Sequence, residues 1–462
     1  MSACARLAPI ALLALAAGCQ HVAPQPLSAD ESARALEARS LRDPALRSYV
    51  ESALGRPLSA WPPPRWDLET LTLAALYFHP ALDVARAHAE LAAAGVRTAA
   101  TRPNPTLSVG PEWSANPDAG VSPWLAALHV DWPIETAGKR GHRVERAEAA
   151  AASAREAVES EASRLRQRLR AALVDLAATR ARRASLATEV ETNGRLVELL
   201  EERVDAGAAS GGDLAPIRFS LLQATTELAA VEAATAETSA RLAEALGVPA
   251  AACEDLALEP PEVEGSPLLS ITRDEALRVA LLGRPDVRAG LADYAAAEAA
   301  LRLELARQVP DLHVGTGYSF DQGQNKWALG LSVVLPLVDR NEGPIAEAEA
   351  ARQEAAAKFV ATQAQAIAEV EQALARRTGA LAQRERLGLL AADRRENLHR
   401  LRSALELGAA DRASELTARL EEVRAERALL DAETNLAQAL GELEAALQAP
   451  LPAQDPQAGT RS

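Results

Sequence analysis

Residues 80–110, PALDVARAHAELAAAGVRTAATRPNPTLSVG, return 205 positions later as residues 285–315, PDVRAGLADYAAAEAALRLELARQVPDLHVG, and this repeat decides the fold. Both segments begin with proline and end in an equivalent leucine, valine and glycine. Farther along the chain the spacing becomes 201, so that Gly207 matches Gly408. Tandem units of this kind bury their apolar faces against one another, either by stacking or by closing into a ring.

Each repeat is predicted to contain a helix, a pair of strands and a long helical hairpin, which makes the fold class α+β. We expect the first repeat at 67–250, a linker at 251–271 and the second repeat at 272–450. Asp67 and Thr272 are helix start signals, and each opening helix is predicted to run unbroken to the proline before the strands. The remaining predicted segments are strands at about 106–114, 123–134, 311–320 and 326–337 and hairpins at about 140–247 and 344–448.

The composition indicates long helices and argues against nucleic acid as a partner. Aromatic residues make up only 3% of the chain, while alanine, leucine, glutamate and arginine dominate, as in coiled coils. The formal net charge is -15, whereas binding to a phosphate backbone requires clustered lysine and arginine. We therefore expect no nucleic-acid partner.

The N-terminal segment has the pattern of an export signal. Its apolar stretch, from Leu7 to Ala17, is too short to anchor the chain in a bilayer. Residues 1–18 resemble a bacterial lipoprotein signal, and the resemblance implies that Cys19 becomes the lipid-modified first residue. The signal departs from the usual pattern at Ala16, where leucine is preferred. The alternative is an ordinary cleaved signal followed by an incidental cysteine.

Two further segments lie outside the repeats. Residues 19–66 are rich in proline and are predicted to form a lipid-anchored leader, and residues 451–462 are predicted to form a disordered tail. Lipidation of Cys19 would leave Cys253 as the only thiol of the mature chain, so no intramolecular disulfide is expected.

The four predicted strands alternate between an apolar face and a small or polar face. In the segment PTLSVGPEW, Leu107 and Val109 share one face, and Ser108 and Glu112 share the other. Strands of about ten residues with aromatic residues near their ends are typical of a lipid-facing barrel when the opposite face is small or polar. The alternative is a soluble sandwich with one solvated face.

Four strands are too few to close a barrel, because the smallest known barrels need about eight. The chain is therefore predicted to oligomerise. Two copies would give an interior plugged by side chains, whereas three copies would give twelve strands and room for an aqueous lumen. The polar residues predicted to face this lumen are Ser108, Glu112, His129, Asp131, His313 and Ser332.

The hairpins are predicted to be unusually long. Glycine turns around Gly207 and Gly408 mark the reversals, and the first arm would be roughly 100 Å long, about twice its returning arm. The helix before the strands has the length needed to stack end to end on the returning arm. The expected result is a cylinder of paired helices that projects from the barrel.

These features together resemble the TolC family of outer membrane efflux channels over essentially the whole mature chain. The junction motifs DWPIETAGKRGHR, at 131–143, and LPLVDRNEGPIAEAEA, at 335–350, are similar to its heavy-metal efflux lipoprotein branch, the CzcC- and CusC-like proteins. The resemblance implies a homotrimer in outer membrane lipid, with a twelve-stranded β-barrel continued by a periplasmic α-helical barrel of coiled-coil hairpins. It also implies two partners, a periplasmic adaptor protein and an inner-membrane pump of the resistance-nodulation-division type.

The hairpin tips resemble the region in which this family contacts its adaptor. The residues concerned are Arg203, Asp205, Gly207, Ser210 and Asp213 in the first tip and Glu406, Gly408, Asp411 and Ser414 in the second. As alternatives, the glycines serve only as helix-ending turns, and the carboxylates form an acidic ring that attracts cations to a narrow mouth.

The strand-to-helix junctions lie at the inner headgroup level in this scheme. Lys139 and the basic residues up to Arg143 follow the second strand directly and are predicted to extend toward lipid phosphate. Asp339 and Asn341 are predicted to cap the helix that follows the fourth strand.

The sequence does not indicate an enzyme, a cofactor or a resident metal. The seven histidines are scattered without a metal-ligand spacing, and the only methionine is Met1. The predicted function is a passive outer membrane conduit for heavy-metal cations. The alternatives are a channel for drugs or for type I secretion and, in another class, a lipid-anchored periplasmic coiled-coil scaffold without a pore.

The first prediction concerns the lipid anchor. Replacement of Cys19 by alanine removes the thiol that would be acylated, so the variant should lose palmitate label while the chain still folds. Intact-mass analysis of the mature N-terminus provides the measurement. A wild-type N-terminus without a lipid mass increment would contradict lipidation.

Overall fold

The computed structural model describes residues 22–117, 120–254, 256–321 and 323–448. The predicted signal segment, Cys19 and the predicted tail lie outside the described residues. Within the described part, the chain is mostly helical and contains one four-stranded sheet.

The elements follow one another in a similar order in both halves of the chain. The first half contains α1 (Ala29–Glu37), α2 (Pro44–Leu54), α3 (Leu68–Phe78), α4 (Pro80–Ala100), β1 (Thr106–Trp113), β2 (Trp124–Ile134), α5 (Lys139–Asp205) and α6 (Gly211–Leu246). The second half contains α7 (Arg273–Gly283), α8 (Pro285–Arg307), β3 (Leu312–Asp321), β4 (Gln324–Val333), α9 (Glu342–Glu406) and α10 (Arg412–Leu447). Two short 3-10 turns, Ala250–Cys253 and Pro267–Leu269, lie between the halves.

The two long helices, α5 and α9, form because their sequences are dominated by the strong helix formers alanine, glutamate, arginine and leucine. They contain 67 and 65 residues, which corresponds to roughly 100 Å each. The returning helices α6 and α10 contain 36 residues each. Each hairpin therefore has one long arm and one arm of about half that length. None of the described helices is both long and apolar enough to cross a membrane.

Each hairpin reverses at a glycine with left-handed backbone angles. The φ angle is +70° at Gly207 and +71° at Gly408, a conformation that residues with a Cβ adopt only at a cost. The N–H of the next residue, Ala208 or Ala409, then donates to a carbonyl in the last turn of the long helix, at 2.7 and 2.8 Å respectively. These bonds satisfy carbonyls that would otherwise lack a partner at the helix end.

The helix before each strand pair is broken in two, so the prediction of an unbroken helix is wrong. The first break lies between Phe78 and Pro80, and the second lies between Gly283 and Pro285. Proline has no N–H to donate, and it forces the residue before it into an extended conformation. The prolines that mark the sequence repeat therefore also divide its opening helices.

The returning arm and the helices before the strands together cover the long helix of the first half. Helix α6 comes back from the tip and ends at Leu246, in one buried cluster with Leu169 and Leu173 from the middle of α5. Gly247 then abuts the start of α4, since a Cβ on this glycine would lie 2.9 Å from the Cα of His79. The two shorter segments are thus stacked end to end beside α5.

The principal core lies where these segments meet. Leu46 and Val50 of α2 are completely buried there, and the same cluster includes Leu71, Leu173, Leu242 and Trp66. A second core occupies the equivalent place in the other half and includes Val370, Leu440 and Leu443. A smaller cluster of Leu196, Leu416 and Leu420 lies near the hairpin tips. The two large clusters thus lie around the helix breaks, away from the sheet.

A buried arginine ties the second helix break to the hairpin beside it. Arg284 is only 2% exposed and donates to both carboxylate oxygens of Asp286, at 2.9 and 2.6 Å. Its Nη1 also donates to Oε2 of Glu369, at 2.6 Å, and to the carbonyl oxygen of Ala446, at 2.9 Å. This one side chain therefore connects α8 with both arms of the second hairpin.

The first half reaches the same result with a residue from the leader. At the position equivalent to Arg284 it has His79, whose ring accepts a hydrogen bond from the N–H of Ala81. Arg39, which follows α1, donates instead to the carbonyls of Phe78 and Gly247. Arg39 of the leader thus supplies at the first helix break the positive charge that Arg284 supplies at the second.

The sheet is antiparallel in the order β1-β2-β3-β4, which leaves β1 and β4 as its edges. β4 ends at Val333, before the predicted end at residue 337. Pro336 offers no N–H for a strand ladder, and the residues after Val333 form no strand. Leu335 and its neighbours therefore lie outside the sheet, although their sequence alternates like that of a strand.

The buried arginine generates the second prediction. Replacing Arg284 with alanine would leave the carboxylates of Asp286 and Glu369 without their cation, so the free energy of unfolding should fall by about 3–5 kcal/mol. Arg273→Ala is the matched control, because its ion pair with Glu371 is exposed and contributes only about 0–1 kcal/mol. Thermal unfolding in detergent compares the two variants. Equal thermal unfolding midpoints for Arg284→Ala and Arg273→Ala would contradict the structural role of Arg284.

Candidate functional site: the sheet and the hairpin ends

One face of the sheet is apolar and uncovered in the single chain. Trp327, Leu329 and Leu331 of β4 are 82%, 79% and 71% exposed, respectively. Cross-strand pairing places further exposed apolar side chains on the same face: Leu107, Val109, Trp113, Trp124, Leu128 and Trp132. Contiguous exposed apolar surface of this kind marks an interface with a membrane or with another protein.

Aromatic rings occupy both ends of this apolar face. Trp113 and Trp124 pack edge to face across β1 and β2, with their ring centroids 4.7 Å apart. Tyr318 and Trp327 form a tilted pair across β3 and β4, with centroids 5.0 Å apart. Both pairs lie toward the hairpin ends of the strands, whereas Trp132 lies toward the helices. Amphipathic rings at two levels are typical of a sheet that crosses a lipid bilayer.

The opposite face is small and polar. The register places Ser108 opposite His129, and His129 opposite Gly317. It also places Ser332 opposite His313. Glu112 lies on this face near the first strand hairpin, opposite Leu125. The predicted polar positions Ser108, Glu112, His129, Asp131, His313 and Ser332 thus share one face of the sheet.

Three of these residues gather around Gly315. Nδ1 of His313 lies 2.8 Å from Oδ2 of Asp131, and Asp131 is directly opposite Gly315 in the register. The ring of His129 lies over the same glycine, because a Cβ there would come within 2.6 Å of its Cε1. Gly315 therefore provides the space that the imidazole of His129 occupies.

The strand-to-helix junction of the first half is held by ion pairs, not by lipid phosphate. Lys139 is buried, and its Nζ lies 2.7 Å from Oδ1 of Asp311, the residue before β3. The same carboxylate oxygen accepts the N–H of Thr136 at 2.9 Å. Arg143 pairs with Glu135 within the same junction. The prediction that Lys139 and Arg143 extend toward lipid is therefore wrong, because carboxylates within the chain already neutralise both.

The second junction is held by an amide. Asn341 has left-handed backbone angles, with a φ of +61°, and its side chain makes no capping bond to α9. Its Nδ2 instead donates to the carbonyl of Glu304, at 2.8 Å, and to the carboxylate of the same residue, at 3.0 Å. Asp339 accepts the N–H of Asn341 at 2.8 Å. Asn341 thus connects α9 to α8, and the prediction that its side chain caps α9 is wrong.

At the hairpin tips, the predicted polar residues form helix caps. Ser210 and Asp213 form a capping box at the start of α6, in which Asp213 accepts the N–H of Ser210 at 3.0 Å. Asp411 accepts the N–H of Ser414 at 2.9 Å at the start of α10. Such caps satisfy N–H groups that have no partner within the helix.

An ion pair joins the two tips to each other. Nη1 of Arg203, in the last turn of α5, lies 2.9 Å from Oδ2 of Asp411. Hydrogen bonds from Ser414, followed by the bond from Arg203, lower the pKa of Asp411 to about 2. Asp205 and Glu406 are the last residues of the two long helices. Asp213 and Asp411 are both engaged in caps, and of the two only Asp411 also has an ion pair.

Sequence reasoning missed a buried carboxylate that joins the two hairpins. Glu189 of α5 is only 3% exposed and accepts a hydrogen bond from Nε of Arg424, in α10, at 2.7 Å. Arg427 pairs with the other carboxylate oxygen. The sequence offered one indication of it, an acidic residue at a core-facing position of the helix. Such a residue is ordinarily buried only when it is paired.

In the described ranges, no three or more His, Cys, Asp or Glu side chains are arranged to hold a metal ion. Cys253 is buried in the first core, where desolvation raises the pKa of its thiol to about 11. A thiol held protonated in this way is a poor nucleophile.

Comparison with known proteins links this arrangement to one family. The family model for "Outer membrane efflux protein" matches residues 73–248 and 276–448. The cobalt-zinc-cadmium resistance protein CzcC of Cupriavidus metallidurans is 27% identical over 259 residues, which cover 54% of this chain and 58% of CzcC. The match thus spans less than two thirds of the length of CzcC.

Solved structures share the fold. The outer membrane protein VceC of Vibrio cholerae superposes with a TM-score of 0.68 and 21% identity, over 83% of this chain and 96% of VceC. CusC superposes with a TM-score of 0.66 and 18% identity, over 83% of this chain and 92% of CusC. The described fold therefore occurs in outer membrane proteins.

The tip ion pair generates the third prediction. Asp411→Asn keeps an N-cap acceptor and loses the charge, whereas Asp411→Ala loses both. Because the start of α10 then has no cap, Asp411→Ala should lower the free energy of unfolding by about 1 kcal/mol more than Asp411→Asn. Because the pKa of Asp411 is lowered, its stabilising effect is present above its ordinary value of 3.8 and is lost as the pH falls toward 2.

The corresponding measurement is thermal unfolding of the wild type and Asp411→Asn as a function of pH. The difference in midpoint should be constant at neutral pH and should shrink between about pH 4 and pH 2. Hydrogen exchange at residues 412–415 should report more opening in Asp411→Ala than in Asp411→Asn. A midpoint difference that is as large at pH 2 as at neutral pH would contradict the assigned role.

Proposed function

The chain belongs to the outer membrane efflux protein family, and on that premise we propose that it is the channel subunit of a tripartite efflux system. In this proposal it forms a passive conduit that carries substrate from the periplasm and the pump to the cell exterior. The family consists of outer membrane channel proteins and not of enzymes.

The observation that carries the proposal is the two-sided sheet. Its uncovered apolar face, with aromatic rings at both ends, has the chemistry of a surface in contact with lipid, and its other face has the chemistry of a surface in contact with water. A periplasmic scaffold without a pore would have no use for such a face and would expose it to water at a large cost. The scaffold alternative is therefore disfavoured.

We propose that three copies complete the barrel. The sheet has two edges, β1 and β4, whose backbone groups require partners in a bilayer. Pairing of β4 of one copy with β1 of the next closes the sheet without an edge. Twelve strands leave an aqueous lumen, and the small residues of the polar face, such as Gly317 and Gly330, support an interior that is not plugged.

The helical hairpins are then proposed to continue the conduit into the periplasm. Of the eight strand ends, the four that connect to helices lie on one side of the sheet, so the long arms project together away from the membrane. In a trimer, the paired helices α3 to α6 and α7 to α10 would form a closed α-helical barrel. The lipid-anchored leader, from Cys19, would run along its outside.

The hairpin tips are proposed to contact the periplasmic adaptor, which in turn recruits an inner-membrane pump of the resistance-nodulation-division type. Two tips per chain give six similar docking points in a trimer. The bond between Arg203 and Asp411 supports this role, because it fixes the two tips side by side as one surface.

The proposed cargo is heavy-metal cations. Support comes from the likeness to CzcC, which is named for resistance to cobalt, zinc and cadmium. Drugs or secreted protein are the alternative cargoes. A deletion strain challenged with zinc, cobalt, cadmium, copper and a drug panel separates these, and sensitivity to drugs alone would contradict the metal assignment.

The fourth prediction tests the two faces of the sheet. Leu128→Arg and Leu331→Arg would place a charge on the lipid side at about mid-bilayer, which costs roughly 2–4 kcal/mol for each substitution in each copy. These variants should fail to form the membrane-inserted trimer. Ser108→Arg and Ser332→Arg are the matched controls on the other face and should assemble.

Native mass spectrometry of the membrane extract measures the assembly of all four variants. The proposal predicts trimers for the two serine variants and a loss of trimers for the two leucine variants. Equal assembly of both classes would contradict the assignment of the faces.

A further inference from the structure

We infer that the polar face of the sheet carries a weak contact site for divalent transition-metal cations, in which His313 is the ligand, Asp131 orients it and His129 lies nearby. The inference rests on the proposed function, because it takes this face to line the conduit. It goes beyond that function by naming the side chains that passing cations meet and the chemistry by which they bind.

The pair His313 and Asp131 presents a nitrogen lone pair. Nδ1 of His313 lies 2.8 Å from Oδ2 of Asp131. An ionised carboxylate only accepts hydrogen bonds, so Nδ1 carries the proton and Nε2 carries the lone pair. In metal sites, a carboxylate that holds an imidazole in this way fixes the ring and strengthens its ligating nitrogen. Asp131 is thus a positioning residue, and Nε2 of His313 is the proposed ligand atom.

A second imidazole is held beside this pair. His129 is two positions from Asp131 on the same face of β2, and its ring lies across β3 over Gly317 and Gly315. A Cβ on Gly315 would lie 2.9 Å from Nε2 of His129, so this placement requires a glycine there. The two imidazoles therefore lie on neighbouring strands on either side of Gly315, which faces Asp131.

The surroundings leave the cluster open to a cation. The neighbours on this face are small, namely Ser108, Gly317 and Gly330. Lys326, a basic residue on the same face, is neutralised by Asp321 at 2.7 Å, toward the far end of the sheet. An approaching cation therefore meets no unpaired positive charge from Lys326.

The ligand set selects the class of cation. Imidazole nitrogen with a carboxylate behind it suits zinc, cobalt and similar ions, whereas magnesium prefers oxygen and water. Within the described ranges, no three such side chains enclose a common point, so water must complete the coordination. Binding is then weak and rapidly reversible, as a conduit requires, because an ion must leave each site as readily as it enters. A trimer would contain three such sites around its wall.

The experiment uses the full-length protein in planar bilayers and measures the potassium current through single channels. Zinc chloride, added to one side, should produce a transient block at a concentration at least about tenfold lower than magnesium chloride. His313→Asn should raise the zinc concentration for half block to the level of magnesium. Asp131→Asn, which frees the ring, should raise it toward that level by roughly tenfold at most.

His88→Asn is the matched control, because this exposed histidine lies on α4, outside the sheet, and its removal should leave the zinc block unchanged. The unblocked conductance of each variant establishes that the channel has formed. Equal block by zinc and magnesium, or unchanged zinc block in both His313→Asn and Asp131→Asn, would overturn the inference while leaving the channel intact. A wild-type protein that conducts no current would instead contradict the proposed function, and the inference would fall with it.

Discussion

The structure depends on one constraint, an apolar sheet face that no element in the described part of the chain covers. Each leucine or tryptophan on this face would gain about 1.5–3 kcal/mol by leaving water, and many such side chains are exposed together. The edge strands β1 and β4 add backbone groups that also need partners. A lipid bilayer would remove the apolar face from water, and neighbouring copies would provide hydrogen-bond partners for the two edge strands. The proposed oligomer and the proposed location thus follow from the same requirement.

The helical part provides a rigid support for this sheet. Its core is built largely from alanine and leucine, and charged side chains join elements that are far apart in sequence: Arg284 links α8 with the second hairpin, and Glu189 links α5 with α10. A buried ion pair adds little net stability, but removal of one partner is costly because the other charge is left unpaired. The junction between Lys139 and Asp311 then ties the helices to the strands. Sheet and tips are thereby held at fixed positions on opposite ends of the molecule.

Much of this architecture could be predicted from the hydrophobic periodicity of the sequence and from the positions of its glycines and prolines. Alternation with a period of two located the strands and their faces, and the glycines at 207 and 408 located the helix reversals. The helix breaks could also have been predicted, because Pro80 and Pro285 stand in the middle of the opening helices. The ion-pair partners of individual charged side chains could not be predicted in this way. Lys139 follows a strand as a lipid-facing lysine would, and only the fold brings Asp311, 172 positions away, within 2.7 Å of it. Similarly, the gathering of His129, Asp131 and His313 depends on the register between β2 and β3, which sequence alone does not fix.

The most direct test of the account is the conductance of the purified protein in a planar lipid bilayer. A sheet that closes with other copies around a polar interior must let ions through, whereas a lipid-anchored helical scaffold must not. The account predicts discrete current steps of uniform size, produced by trimers and absent from the detergent alone. Protein that binds to the bilayer without producing current steps would contradict it.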